Sequence, residues 1–253
     1  MFENYEKLLE KLKNLRANYN ATGLKLELET EIISTQEIDL AQKLTKESGL
    51  NLTLKLSGSS AVSDIFLAKA LGVKNLLSPM IESAYSLEKF YSNVEHICEK
   101  EEKNLFFNIE TITAFENLDK ILNTQNIDKF SAIVFGRNDF CGSLGQKADY
   151  CDSLEVFEYI KKLLQKIKYT NLSLTIGGNI TRNSLDFLKN INDEKFTHVE
   201  TRKITFEKNV LYGDFELALK EALEFELLWL ESKSFKNTLD NERQLILKDR
   251  MLR

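Results

Sequence analysis

The sequence predicts a modified, TIM-like (β/α)8 barrel with helices flanking it at both ends. Short apolar runs typical of strands alternate with segments that carry apolar residues at i, i+3 and i+4. The first two strand runs alternate strictly between apolar and polar residues, as strands do when one face packs on helices and the other faces a barrel axis. The 253 residues suit one domain, with an N-terminal helix at 1–20, the barrel at 21–210 and a C-terminal helical extension at 211–253.

Seven strand runs follow one another along the chain, separated by helical segments. These are residues 24–30, 52–58, 75–80, 105–111, 131–136, 172–178 and 197–206. A capping signal, Ser34 with Glu37 in the pattern S-x-x-E, begins the first helix between them. The alternation favours parallel strands joined by crossover helices, in a barrel or an open sheet. An eighth strand would come from residues 203–207 or from the N-terminal segment, or would be missing.

Charged residues mark one face of the first two strand runs. Lys25, Glu27 and Glu29 share a face of the first run, and Lys55 lies on the polar face of the second. Buried charges are costly unless they are paired, so these side chains should pair with one another or bind a charged ligand. Alternatively, these charged side chains lie on the solvent-exposed faces of edge strands.

Composition excludes several classes of protein. Lys and Arg number 34 against 39 Asp and Glu, and the net charge of −5 offers no basic surface for nucleic acid or anionic membranes. Two histidines cannot build a three-histidine zinc site. Three cysteines without C-x-x-C are typical of reduced thiols in the cytosol. Without a signal peptide or a run of ~18 apolar residues, we expect a cytoplasmic protein.

Candidate chemistry lies at the carboxyl ends of strands, where barrels of this type gather their function. Glu110 lies at the end of the fourth run, and Asp139 lies three residues beyond the end of the fifth. Two carboxylates completed by water and substrate oxygens are typical of Mg²⁺ or Mn²⁺ sites, although acids in such places often only cap helices. Gly177 and Gly178 end the sixth run, where they fit either an anion site or a tight turn.

Three segments carry a family resemblance. GVKNLLSPMIESAYSLEKF, NIETITAFENLDKIL and IDKFSAIVFGRNDFCGSLG resemble the HpcH/HpaI aldolase and citrate lyase β-subunit family, over about residues 24–206. The resemblance implies a metal-dependent modified TIM barrel that makes or breaks carbon–carbon bonds beside a pyruvate-like or acyl-CoA carbonyl. It also implies Glu110 and Asp139 as ligands of Mg²⁺ or Mn²⁺, and the amides of Gly136 and Arg137 as the loop that approaches the substrate carboxylate.

The chain departs from the family at two positions that bear on catalysis. Glu29-Thr30-Glu31 stands where the aldolases carry a histidine, and Lys55 stands where the family has an arginine. The acidic motif and arginine of citrate lyase β chains are not found either. The sequence therefore predicts a divergent member, in which Arg202 should share a strand face with Glu200 and contribute to substrate binding.

The function predicted on this basis is a metal-dependent carbon–carbon lyase or aldolase. It would act on a 2-oxo acid or acyl-CoA through a metal-stabilised enolate, with Lys55 adding positive charge at the developing oxyanion. Lys55 could instead be the ion partner of Glu27 or Glu29, or a Schiff-base nucleophile in a reaction without metal. A different possibility is a barrel that has lost catalysis and serves as a ligand-binding or partner protein.

The C-terminal segment predicts a further contact. Residues 215–230 form an apolar amphipathic pattern containing the only tryptophan, and that face must be buried on the barrel or on another subunit. The resemblance implies a homo-oligomer assembled through C-terminal helices.

Overall fold

The structure, a computed structural model, describes residues 4–99, 101–233 and 236–252. Within these residues eight strands close into a barrel in sequence order. The strands are β1 (Ala21–Glu27), β2 (Asn51–Lys55), β3 (Asn75–Ser78), β4 (Asn104–Ile109), β5 (Phe130–Gly136), β6 (Ser173–Gly177), β7 (Phe196–Glu200) and β8 (Ile204–Glu207). The predicted barrel is thereby confirmed, and the open sheet is not formed.

Helices surround the barrel and extend beyond it at both ends of the chain. They are α1 (Tyr5–Tyr19), α2 (Thr35–Ser48), α3 (Val62–Ala70), α4 (Ala84–Cys98), α5 (Ile112–Glu116), α6 (Leu118–Leu122), α7 (Arg137–Ser143), α8 (Leu154–Ile167), α9 (Ser184–Lys189), α10 (Phe215–Ser232) and α11 (Thr238–Leu252). The capping signal is present at α2, where the Ser34 hydroxyl accepts from the Glu37 amide and the Glu37 carboxylate accepts from the Ser34 amide.

Strand direction differs from the prediction at the last strand. Strands β1 to β7 pair in parallel with their sequence neighbours, but β8 runs antiparallel to both β7 and β1. The expectation of an all-parallel barrel is wrong for β8. Its residues, 204–207, do come from one of the expected sources.

The predicted run 197–206 contains a chain reversal. The Thr201 amide donates to the Ile204 carbonyl at 2.9 Å, and the Ile204 amide donates to Thr201 Oγ1 at 3.0 Å, which closes a tight turn. Arg202 and Lys203 form the turn, and both donate to the Glu31 carboxylate. The prediction that Arg202 shares a strand face with Glu200 is therefore wrong, because the strand ends before Arg202.

Side chains on the strands divide as the alternation predicts. Leu24, Leu26 and Leu54 are fully buried in the apolar core between strands and helices. Their polar neighbours Lys25 and Lys55 face a cavity at the end of the barrel instead. A strand reverses its side-chain direction at every residue, so the leucines fix where the lysines lie.

The C-terminal helices pack on their own chain. Lys11 of α1 donates to Glu221 at 2.8 Å and Glu224 at 2.5 Å, both on α10. Phe225 and Trp229 of α10 are buried. The apolar face predicted for this helix is therefore covered by the same chain. Homo-oligomerisation through these helices stays a prediction. No helix in the described segments combines the length and the apolar content that a bilayer crossing requires.

Candidate functional site

A cavity of about 960 Å³ opens at the carboxyl ends of the strands. Its floor consists of side chains from the barrel strands, and its outer walls come from the loops after β6 and β7 and from α10 and α11. Of the predicted site residues, Lys55, Glu110, Gly136, Asp139 and Arg202 all line it. Function in barrels gathers at this end of the strands, so this cavity is the candidate active site.

One part of the floor is a buried ion cluster around Lys25. Its ammonium lies 2.5 Å from Glu200 Oε1 and 2.9 Å from Glu27 Oε1. Burial alone would lower the pKa of Lys25, but Glu200 and Glu27 more than offset that effect and raise it. For Glu27, burial would raise the pKa, yet the surrounding cations, Lys25 foremost, hold it well below its usual range. Lys25 and Glu27 are therefore both charged at neutral pH.

Lys55 lies on the other side of the floor, also in contact with acids. Its Nζ is 2.6 Å from Glu29 Oε2 and 3.6 Å from Glu110 Oε2. Burial opposes the charge, but Glu110, Glu27 and Glu29 outweigh it and raise the pKa of Lys55 above its usual value. A Schiff-base nucleophile needs the neutral amine, so this environment disfavours that alternative.

Glu110 is held rigidly at the same place. Its side chain is buried, Oε1 accepts from the Met80 amide at 3.0 Å, and Oε2 accepts from Asn108 Nδ2 at 2.5 Å. Met80 has a φ of 49°, a left-handed conformation uncommon outside glycine, which fixes the loop after β3. Burial raises the pKa of Glu110, and the nearby Lys55 ammonium offsets only part of that shift.

Gly136 gives Glu110 the space that it occupies. A Cβ at Gly136 would lie 2.7 Å from Glu110 Oε2 and 2.9 Å from Glu110 Cβ, closer than real Cβ contacts. Glycine at the end of β5 therefore lets the carboxylate of the neighbouring strand reach across to the cavity. The role of the Gly136 amide toward a substrate carboxylate stays a prediction.

The residues present suit a hard divalent cation. Asp139 is exposed in the first turn of α7 and lines the same cavity as Glu110. Asn108 Oδ1, beside Glu110, is a buried oxygen that accepts no hydrogen bond from the described residues. Four carboxylates on the floor (Glu27, Glu110, Asp139 and Glu200) face two ammonium groups (Lys25 and Lys55), which leaves excess negative charge. Magnesium usually keeps several waters, so two carboxylates suffice to hold it. The described residues contain no cluster of three or more His, Cys, Asp or Glu side chains that could hold a metal ion.

Arg137 is placed differently from the other candidates. Its side chain is fully buried, and its guanidinium donates to the carbonyls of Gly177 at 3.2 Å and Gly178 at 2.9 Å. It also donates to the Cys151 carbonyl and forms an ion pair with Asp152. The side chain thus ties α7 to the loop after β6, and a substrate contact through the Arg137 amide stays a prediction.

Gly178 directly follows β6 and occupies a position that requires glycine. Its φ is 81°, and a Cβ there would lie 2.5 Å from the Asn138 nitrogen and 2.7 Å from the Arg137 nitrogen. Only glycine fits a left-handed residue so close to another backbone. Of the two explanations open for Gly177 and Gly178, the tight turn therefore has direct support.

Several cavity residues escaped the sequence analysis. Glu226 on α10 and Arg243 and Arg250 on α11 line the outer wall, as does Arg182 in the loop after β6. Their positions depend on how the C-terminal helices fold back across the barrel. No local pattern in the sequence encodes that path.

Comparison with known proteins identifies the fold and the family. The HpcH/HpaI aldolase/citrate lyase family model matches residues 55–182, about half of the chain. An HpcH/HpaI aldolase from Desulfitobacterium hafniense DCB-2 is 13% identical, with a TM-score of 0.63 over 92% of this chain and 91% of that one. An HpcH/HpaI aldolase/citrate lyase family protein from Burkholderia cenocepacia J2315 is 11% identical. Its TM-score is 0.61, over 86% of this chain and 88% of that one.

A citrate synthase, SbnG, shares the fold at 11% identity and a TM-score of 0.58, over 86% of this chain and 89% of that one. At these identities the solved structures establish the barrel, whereas the family model establishes the lineage. No curated protein matches the chain. The matched half of the chain includes Lys55, both predicted metal ligands and the glycine turn. Because the family model matches half of the chain, the chain belongs to the HpcH/HpaI aldolase/citrate lyase family.

Proposed function

We propose that the protein is a metal-dependent carbon–carbon lyase or aldolase acting on a 2-oxo acid or an acyl-CoA. The observation that carries the proposal is the floor of the cavity, where the Lys55 ammonium lies 3.6 Å from Glu110, with Asp139 on the same cavity. Family membership supports a lyase-type activity. Lewis acidity at carboxylate-held Mg²⁺ or Mn²⁺ would stabilise negative charge on a 2-oxo acid.

Glu110, Asp139 and the Asn108 carbonyl are the groups that would hold the ion. Glu110 is oriented for this role by the Met80 amide and the Asn108 amide group, which fix both carboxylate oxygens. Each oxygen keeps a further lone pair, so these hydrogen bonds do not exclude a cation.

Lys55 contributes positive charge where an enolate oxygen develops. Its raised pKa keeps it protonated, and its ion pair with Glu29 at 2.6 Å fixes the direction of the ammonium group. A fixed charge in a buried site stabilises a developing oxyanion more than water does. A lysine supplies a point charge, whereas arginine would supply a two-pronged fork, so substrate orientation should depend on other groups.

Glu29 is our candidate for the proton transfer that the family's histidine performs. In the cleavage direction, a base accepts the proton of the substrate hydroxyl, whose oxygen becomes the carbonyl of one product. The carbon–carbon bond breaks, its electron pair forms the enolate, and the enolate takes up a proton to give the other product. Glu29 follows the first strand and contacts the Lys55 ammonium, so it lies beside the charge that the reaction develops. Carboxylates serve as general bases when positioned within hydrogen-bonding reach.

The proposal is tested by product release. Purified protein would be incubated with 4-hydroxy-2-oxo acids, scored as pyruvate, and with 3-hydroxyacyl-CoA thioesters, scored as acetyl-CoA. We expect release from one class, lost on chelation with EDTA and restored by Mg²⁺ or Mn²⁺. Tight binding of such compounds without turnover would instead support the alternative, a ligand-binding barrel that has lost catalysis.

Metal binding is predicted to depend on both carboxylates. Calorimetric titration with Mn²⁺ should show affinity reduced at least about tenfold in Glu110→Gln and in Asp139→Asn, because each change removes a charged ligand. Glu216→Gln is the matched control, since Glu216 lines the same cavity from α10 but is exposed and outside the floor. Wild-type affinity in both test variants would contradict the assignment.

A further inference from the structure

Arginines from different elements converge on one buried acid in the outer wall of the cavity. Arg243 of α11 donates to both oxygens of Glu226, at 2.6 and 2.9 Å. Arg202, in the turn between β7 and β8, lies 3.7 Å from the same carboxylate. Glu226 itself is only 2% exposed. One carboxylate thus serves two guanidinium groups.

Arg250 adds another guanidinium to this wall without another acid. It lies two turns beyond Arg243 on α11, is half-buried, and donates from Nη2 to the Ile180 carbonyl at 3.0 Å. Among the described residues, no carboxylate oxygen lies within 4.0 Å of its guanidinium. Burial is the main cause that lowers the pKa of Arg250, Arg243 lowers it further, and Glu226 opposes the shift.

The cavity therefore has opposite charge at its two ends. The floor formed by the strands and α7 carries an excess of acids, as described above. The outer wall carries an excess of bases, since five cations face three acids. The cations are Arg182, Arg202, Lys220, Arg243 and Arg250, and the acids are Asp214, Glu216 and Glu226. A ligand matched to both ends would place a metal-chelating group at the floor and an anionic group at the wall.

We propose that Arg250, together with Arg182, binds a second anionic group of the substrate, a carboxylate or a phosphate, at the outer end of the cavity. Only the description of this ligand as the substrate rests on the proposed function. Arg250 keeps most of its donors unused by the described residues, and guanidinium groups match carboxylate and phosphate oxygens in a two-pronged geometry. Arg182, exposed on the loop whose Ile180 carbonyl Arg250 contacts, lines the same cavity and adds positive charge.

The proposal assigns part of the substrate specificity to α11. Arg202 and Arg243 are held by Glu31 and Glu226, so they shape the wall but have less capacity to bind a ligand. Among the described residues Arg250 forms no ion pair, and its one side-chain hydrogen bond there goes to a backbone carbonyl. Substrates with a distal anion should accordingly be favoured over neutral ones of equal length.

Calorimetry with two simple probes, inorganic phosphate and succinate, tests the subsite with EDTA present and no added metal. We expect wild-type protein to bind at least one probe in the millimolar range or tighter. Arg250→Gln should weaken that binding about tenfold or more, Arg182→Gln by a smaller factor, and Arg250→Lys less than Arg250→Gln. Lys248→Gln, an exposed lysine on the same helix, is the control and should bind as wild type.

The probes also distinguish the two sources of the anion. Binding of phosphate alone indicates a phosphorylated substrate, and binding of succinate alone indicates a dicarboxylic one. Absence of binding by wild-type protein, or equal binding by Arg250→Gln and wild type, would overturn the subsite. Arg182→Gln and Arg250→Lys give the answer if Arg250→Gln does not fold. Because no metal or turnover enters the measurement, the subsite can stand even if the lyase assay fails.

Discussion

Lys55→Met is expected to lower turnover by a factor of about 30 or more, equivalent to roughly 2 kcal/mol of lost transition-state stabilisation. The methionine keeps the aliphatic length of the side chain but removes the charge that lies 3.6 Å from Glu110. The measurement is kcat for the substrate class identified by product release, together with the melting temperature of the same variant. Lys220→Met is the matched control, because Lys220 lines the cavity but is exposed.

The same variant separates the two roles open to Lys55. If Lys55 is only the ion partner of Glu29, Lys55→Met should mainly lower the free energy of unfolding, since removing one member of a buried pair costs about 3–5 kcal/mol. If it stabilises the oxyanion, turnover should fall by more than the melting temperature explains, and Lys55→Arg should retain more turnover than Lys55→Met. Unchanged turnover in Lys55→Met would exclude the catalytic role.

Arg137→Met is expected to lower the free energy of unfolding by about 3–5 kcal/mol. The change leaves Asp152 without its cation and removes the donor that serves the carbonyls of Cys151, Gly177 and Gly178. The guanidinium is fully buried, so water cannot replace these hydrogen bonds without rearrangement. For a chain of this length the loss corresponds to a melting temperature lower by roughly 10 °C.

Denaturant and thermal unfolding measure this effect against two reference variants. Arg182→Met changes an exposed arginine and should stay within about 0.5 kcal/mol of wild type. Arg137→Lys keeps a positive charge but not the planar fork, so it should lie between wild type and Arg137→Met. A loss of unfolding free energy below about 1 kcal/mol in Arg137→Met would show that the guanidinium does not hold α7 to the loop after β6.

Local patterns predicted the barrel and its floor because both depend on rules that act within a few residues. The period of two in a strand places Lys25 and Lys55 opposite leucines that the core must bury. Glu110 and Asp139 reach one cavity because parallel neighbouring strands end at the same side of the barrel. Such inferences need no knowledge of distant contacts.

The features that escaped prediction are held by distant partners. The reversal at Arg202 and Lys203 contains no glycine, proline or asparagine to mark it, and its cations are held by Glu31, which lies at the other end of the sequence. The outer wall depends on Arg243 meeting Glu226 after the chain has turned between α10 and α11. The destination of the Arg137 side chain is likewise set by Asp152 and the loop after β6. A pattern confined to one segment carries no information about such pairings.

The antiparallel strand β8 also bears on how the chain reaches its folded state. It pairs with β7 through a tight turn, a contact between near neighbours, but its pairing of Ile204 with Leu24 joins residues from opposite ends of the sequence. Loop-closure entropy opposes the second pairing far more than the first. Until that seam forms, β1 presents an unpaired edge, the kind of surface that recruits other chains into aggregates. Barrel closure should therefore be a late, slow event that depends on contacts of high sequence separation, and the folding yield should be most sensitive to residues along the β1–β8 seam.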